Sequence, residues 1–119
     1  MKEHEIRVSH YYTDEDMEDI IVTALEGGIG YWACLDNTEQ PDGTITAEWA
    51  WKVLQNGGQL HFFDEEDDDA EYFMDLASLY TGIGLAIKDK YWDGDMDNLD
   101  ALVADSIIQY AVFGEVVYG

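Results

Sequence analysis

Leu60-His61-Phe62-Phe63-Asp64-Glu65-Glu66-Asp67-Asp68-Asp69-Ala70-Glu71-Tyr72-Phe73-Met74 sets two short apolar and aromatic runs on either side of six consecutive acids. Runs of this length and composition read as strands, and the acids as the turn between them. Six adjacent carboxylates repel one another and are costly to desolvate, so all six are expected in solvent at the tip of a β-hairpin. The hairpin decides the fold class: a small, mainly antiparallel sheet with an acidic hairpin, to be covered by whatever helices the rest of the chain supplies.

The composition matches a packed body under an acidic skin. Hydrophobic residues make up 47% of the 119 residues and aromatic residues 13%, too many for a disordered acidic tail. A chain of this length buries a core as one domain, residues 1–119, and no Pro- or Ser-rich linker divides it. Against 27 acids stand 5 Lys and Arg, a formal charge of −22. Direct binders of nucleic acid and proteins that dock on anionic lipid are basic, so neither partner is expected, and a cationic protein surface is. Cys34 is alone, which excludes an intramolecular disulfide and a cysteine zinc site. No signal-peptide pattern opens the sequence and no apolar run reaches membrane-spanning length, so a cytoplasmic location is expected.

Outward from the hairpin, the chain reads as about four helices. Glu5 to Tyr12 is rich in β-formers and reads as a first strand. Thr13 and Asp16 form a capping-box pattern for a helix whose buried face is Met17, Ile20, Ile21, Ala24 and Leu25. Asp14, Glu15, Glu18 and Asp19 load its N-terminal turns, where the helix dipole favours negative charge. Gly27-Gly28 is expected to end it with one glycine in the left-handed conformation, and Ile29 to Leu35 to follow as a strand. The same order returns with Thr44 or Thr46 as cap, a helix through Trp49, Trp51, Val53 and Leu54, the stop Asn56-Gly57-Gly58, and the hairpin. Two helix-to-strand units thus feed one sheet. Asp75 caps a third helix in which Gly82 and Gly84 mark close packing or a kink. Leu99 to Val112 reads as the last helix, with Leu102, Val103, Ile107, Tyr110 and Ala111 at core spacing and Asp105 among them. Gly114 stops it, and Glu115 to Tyr118 is expected as a terminal strand.

Motifs of chemistry are scarce. Asp93-Gly94-Asp95-Met96-Asp97-Asn98 begins like a calcium loop, but Asn98 stands where Gly belongs and Ala104 where Glu belongs, so an acidic turn is expected instead. His4, His10 and His61 lack metal-ligand spacing, and Cys34, on an aromatic strand, reads as a buried, inert thiol. The double glycines follow helices, the reverse of a phosphate loop. No catalytic residue, metal or cofactor is therefore assigned. Trp49 and Trp51 are two apart and cannot share one helix face, so one of them is expected to be exposed to a partner.

Both ends of the chain carry a resemblance. Tyr11-Tyr12-Thr13, Ala24-Leu25-Glu26-Gly27-Gly28-Ile29-Gly30-Tyr31-Trp32 and Asp105-Ser106-Ile107-Ile108-Gln109-Tyr110-Ala111-Val112-Phe113-Gly114-Glu115-Val116-Val117-Tyr118-Gly119 resemble small, uncharacterised proteins of phages and mobile elements. The resemblance implies a mobile-element setting and no catalytic residue. Joined to the charge, it leads to a functional expectation: an anti-defence inhibitor that imitates polynucleotide and occludes the cationic channel of a host nuclease, of restriction or RNA-guided type. A charge of −22 equals that of roughly 11 base pairs of duplex, and a compact domain of this length is about 35 Å across. The partner-binding residues are then Asp64, Glu65, Glu66, Asp67, Asp68 and Asp69, with Asp14, Glu15, Glu18 and Asp19 as a second patch and Trp49 and Trp51 beside them. The alternative is a non-enzymatic accessory module of a mobile element with another protein partner. The sequence leaves open whether the chain pairs with itself as a homodimer.

Overall fold

The hairpin forms, and a third strand joins it. A computed structural model describes residues 2–119. These fold as an α+β domain: α1 (Asp14–Thr23), a π-helical turn (Ala24–Gly28), β1 (Ala33–Leu35), α2 (Thr46–Gln55), β2 (Leu60–Asp64), β3 (Glu71–Met74), α3 (Leu76–Lys88), a 3-10 turn (Met96–Asn98) and α4 (Ala101–Phe113). The sheet is antiparallel in the order β1-β2-β3, with Cys34 opposite Phe63 and Phe62 opposite Tyr72. Cys34, expected to be buried, is exposed, because the strand alternation turns it to the outward face. Strand period two sends Leu60, Phe62, Asp64 and Met74 inward and His61, Phe63, Glu71 and Phe73 outward.

α4 is the centre of the body, packed on α3, on the π turn, on α1 and on β3. Ile107, Ile108 and Tyr110 face inward from it, while Leu102, expected in the core, is 77% exposed because it lies on the side no element covers. Gly82 explains the close approach of α3: a Cβ there would stand 2.5 Å from the Ile107 carbonyl oxygen. Gly84 faces open space and is neither a contact nor a kink.

Local chemistry sets most boundaries. The Thr13–Asp16 capping box is formed, Asp75 and Asp100 cap α3 and α4, and left-handed Gly57 and Gly114 close α2 and α4. Other expectations are corrected. Glu5 to Tyr12 is not a strand; Glu5 to Tyr11 is exposed, with Glu5 to Val8 running over α3, no strand pairs with the segment, and it is fastened at its end by Tyr12, which stacks on Trp92 and donates to the Gly94 carbonyl at 2.7 Å. Neither Gly27 nor Gly28 has a positive φ. They pass through the π turn, where a Cβ on Gly28 would stand 3.0 Å from the Ala101 carbonyl oxygen. The strand after them shrinks to Ala33–Leu35, because Ile29 to Trp32 form a further turn in which the Trp32 and Ala33 N–H groups donate to the Ile29 carbonyl. Neither Thr44 nor Thr46 caps α2; Ile45 occupies the cap, and the Thr46 hydroxyl donates to Gln40 Oε1. Glu115 to Tyr118 joins no strand and is tied to α4 by side chains instead. The body measures 58 × 31 × 24 Å, longer than the 35 Å expected of a compact sphere.

Candidate functional site

The six-acid stretch divides at its first residue. Asp64 ends β2 pointing inward and is buried, which overturns the expectation that all six acids are solvated. Its Oδ1 accepts the backbone N–H of Glu66 at 2.8 Å and of Asp67 at 3.0 Å. Its Oδ2 accepts the hydroxyls of Tyr72 at 2.7 Å and Tyr118 at 2.8 Å. Four donors replace its water, and the bonds to Glu66 N–H and to the two tyrosines hold the carboxyl at about 2, below the usual aspartate value. The Tyr72 phenol moves the other way, raised by burial and by Asp64.

Beyond this clamp the tip is open. Glu65, Glu66, Asp67, Asp68 and Asp69 are exposed. Asp67 folds the tip by accepting the Asp69 N–H at 3.1 Å, and the Ala70 N–H donates to the Asp67 carbonyl at 3.0 Å. Among the described residues, no hydrogen bond or ion pair engages the carboxylates of Glu65, Glu66, Asp68 and Asp69.

A second buried carboxylate stands behind the clamp. Asp105 on α4 accepts from Trp32 Nε1 at 2.7 Å, Gln109 Nε2 at 2.9 Å and the Tyr31 hydroxyl at 2.6 Å. Burial and Asp105 together push the Tyr31 phenol up to about 12. Gln109 is fully buried and uses both ends of its amide: Oε1 accepts the N–H of Val117 and Tyr118, and Nε2 also donates to the Tyr118 carbonyl. Trp32 lies parallel to Tyr118 with centroids 5.4 Å apart and touches Phe113 and Tyr72. Asp105, Gln109 and Tyr118 thus lash the C-terminal tail to α4 and deliver the Tyr118 hydroxyl to Asp64. The π turn is what places Tyr31 and Trp32 over Asp105.

The other expected site residues lie apart from the tip. Asp14, Glu15 and Asp19 are exposed on α1 and Glu18 is half-buried there; no hydrogen bond joins them to the hairpin. Trp51 is 5% exposed and buried in the core, while Trp49, on a different face of α2, is partly buried and lines an open groove with Asp36, Val53 and His61. In the turn after α3, Asp93 accepts the Asp95 N–H and the Asn98 amide, and Asp95 accepts the Asp97 N–H, so these carboxylates cap their own loop. Among the described residues no three His, Cys, Asp or Glu side chains converge in a metal-binding arrangement, and no helix is long and apolar enough to cross a membrane.

Cations do little of this work. Among the described residues the one Lys or Arg ion pair is Arg7 to Glu5 at 3.9 Å, both exposed. The acids that fold the chain are aspartates held by N–H groups, tyrosines, Trp32 and Gln109. Sequence reasoning missed Gln109 and the Tyr31, Tyr72 and Tyr118 hydroxyls. A signal existed: Asp105 and Gln109 are four apart on the face of α4 that also carries Ile108, where a polar pair must bond to each other or to something brought to them. Compared with family models, curated proteins and solved structures, the chain matches none.

Proposed function

We propose that the chain is a non-enzymatic inhibitor from a phage or mobile element that works in the host cytoplasm. Its acidic skin occupies the cationic nucleic-acid channel of a host nuclease of restriction or RNA-guided type. One observation carries the reading: the exposed carboxylates of Glu65, Glu66, Asp67, Asp68 and Asp69 are left without cationic partners among the described residues while the tip that bears them is anchored from within. A flexible acidic tail would lose ordering entropy on docking; a tip fixed by Asp64, Tyr72 and Tyr118 loses little. The mechanism is occlusion. Glu65, Glu66, Asp68 and Asp69 take the places of phosphates on Lys and Arg, counterions leave both surfaces, and the field of −22 speeds the encounter.

Length refines the mimicry. Along the 58 Å axis the chain carries about one formal charge per 2.6 Å, against one per roughly 1.7 Å of duplex. Imitation therefore rests on local clusters, the hairpin tip first and the α1 acids second, and not on a charge density equal to DNA.

The test is retention of host lysate proteins on the immobilised chain at low salt. A nuclease released both by duplex DNA and by a salt gradient is the expected result. A retained partner that resists both DNA and about 0.5 M salt contradicts mimicry and favours an accessory module with a different protein partner.

A further inference from the structure

The outward face of the sheet is a separate surface from the acidic tip. The strand register aligns Cys34, Phe63 and Glu71 across one row. His61 stands opposite Phe73, and the Asp36 N–H donates to the His61 carbonyl at 2.8 Å, which extends that row to Asp36. The His61 ring lies parallel to Phe73, 4.7 Å between centroids, and edge-on to Phe63 at 4.5 Å. Asp36 closes one end, 3.1 Å from His61 Nδ1, and Glu71 the other, 3.5 Å from Nε2. Phe63 is 37% exposed and Phe73 50% exposed. The opposite face is the covered one: Leu60, Phe62 and Met74 are buried in the core, with α4 packed on β3 and α2 on β2.

We propose that this face docks an arginine-bearing segment of a basic protein partner. The inference rests on the cationic partner proposed above and names the surface that selects it. Two exposed rings flanked by carboxylates fit a guanidinium: its plane stacks on an aromatic face while its fork reaches a carboxylate. Lysine has no plane to stack. An apolar partner would strip water from Asp36 and Glu71 and give nothing back. A second copy of the chain would bring −22 against −22 and set the same acids facing each other. Charge complementarity therefore selects a cationic occupant, and the rings select arginine.

The probes are nona-arginine and nona-lysine peptides, titrated into the 15N-labelled full chain at about 150 mM salt. The arginine peptide is expected to shift the amides of Asp36, His61, Phe63, Glu71 and Phe73 and to bind about tenfold tighter than the lysine peptide. Phe63→Ser/Phe73→Ser removes that preference and leaves the weaker, charge-driven binding. If the double variant melts early, Phe73→Ser alone, at the more exposed ring, carries the test with a loss of about threefold. Equal binding of the two peptides with shifts confined to residues 65–69 overturns the proposal. So does wild-type arginine preference in a folded double variant, or a dimer in sedimentation that the double variant dissolves. Arginine preference without DNA competition at a nuclease would sink the mimicry and leave this surface standing.

Discussion

Two groups of acids behave in opposite ways, and Asp64 of the first is the direct neighbour of Glu65 of the second. Asp64 and Asp105 are buried and saturated with donors; Glu65, Glu66, Asp68 and Asp69 are exposed and accept from none. Residue type does not separate them, since aspartate serves in both. What separates them is where the donors lie. Asp64 meets the N–H groups of its own turn and two tyrosines brought by β3 and the tail, and Asp105 meets Trp32, Tyr31 and Gln109. One residue further along the hairpin, the side chain points outward and no donor reaches it. The first group holds the second in place.

The comparison breaks hardest at Asp105. Asp105→Ala leaves Trp32 Nε1 buried without an acceptor and opens space under the indole, a loss of about 2–4 kcal/mol in denaturant-measured stability. Asp105→Asn keeps an acceptor for Trp32, costs less, and lets the Tyr31 phenol fall from about 12 toward its ordinary value, readable by spectrophotometric titration. A variant as stable as the parent would show that the network is ornamental.

Asp64→Asn has a smaller effect with a pH signature. The folded carboxyl sits near 2 against an ordinary 3.8, so it contributes stability above about pH 4 that is lost as pH falls toward 2. Melting curves of the parent should therefore drop between pH 4 and 2 more steeply than those of Asp64→Asn, and the two should converge at the acid end. Parallel curves would remove Asp64 as the anchor.

How much of this was legible follows the same line. Elements fixed by neighbours in sequence were readable: the hairpin, the Thr13–Asp16 box, the Asp75 cap, and the turns at Gly57 and Gly114. Elements decided by distant partners were not. Glu5 to Tyr12 has strand composition but no strand beside it. Gly27-Gly28 does end the helical run, but by a π turn packed against Ala101 on α4 and not by the left-handed glycine expected from local rules. The tail's fate depends on Gln109: its spacing from Asp105 flags a buried polar pair, but nothing local names the tail N–H groups as its other partners. In the acid run the alternation of β2 already placed Asp64 on the Leu60 and Phe62 side, but the repulsion of six like charges argued more loudly than the pleat.

The claim that the tip is for binding and the clamp for folding is tested most directly by neutralising the tip alone. Glu65→Gln, Glu66→Gln, Asp68→Asn and Asp69→Asn combined leave every hydrogen bond of the clamp in place. Melting and nuclease inhibition are measured on the same preparation. The account predicts stability within about 0.5 kcal/mol of the parent, or higher as self-repulsion falls, with inhibition weakened about tenfold or more at low salt. Unfolding of the variant, or undiminished inhibition by a folded one, would contradict it.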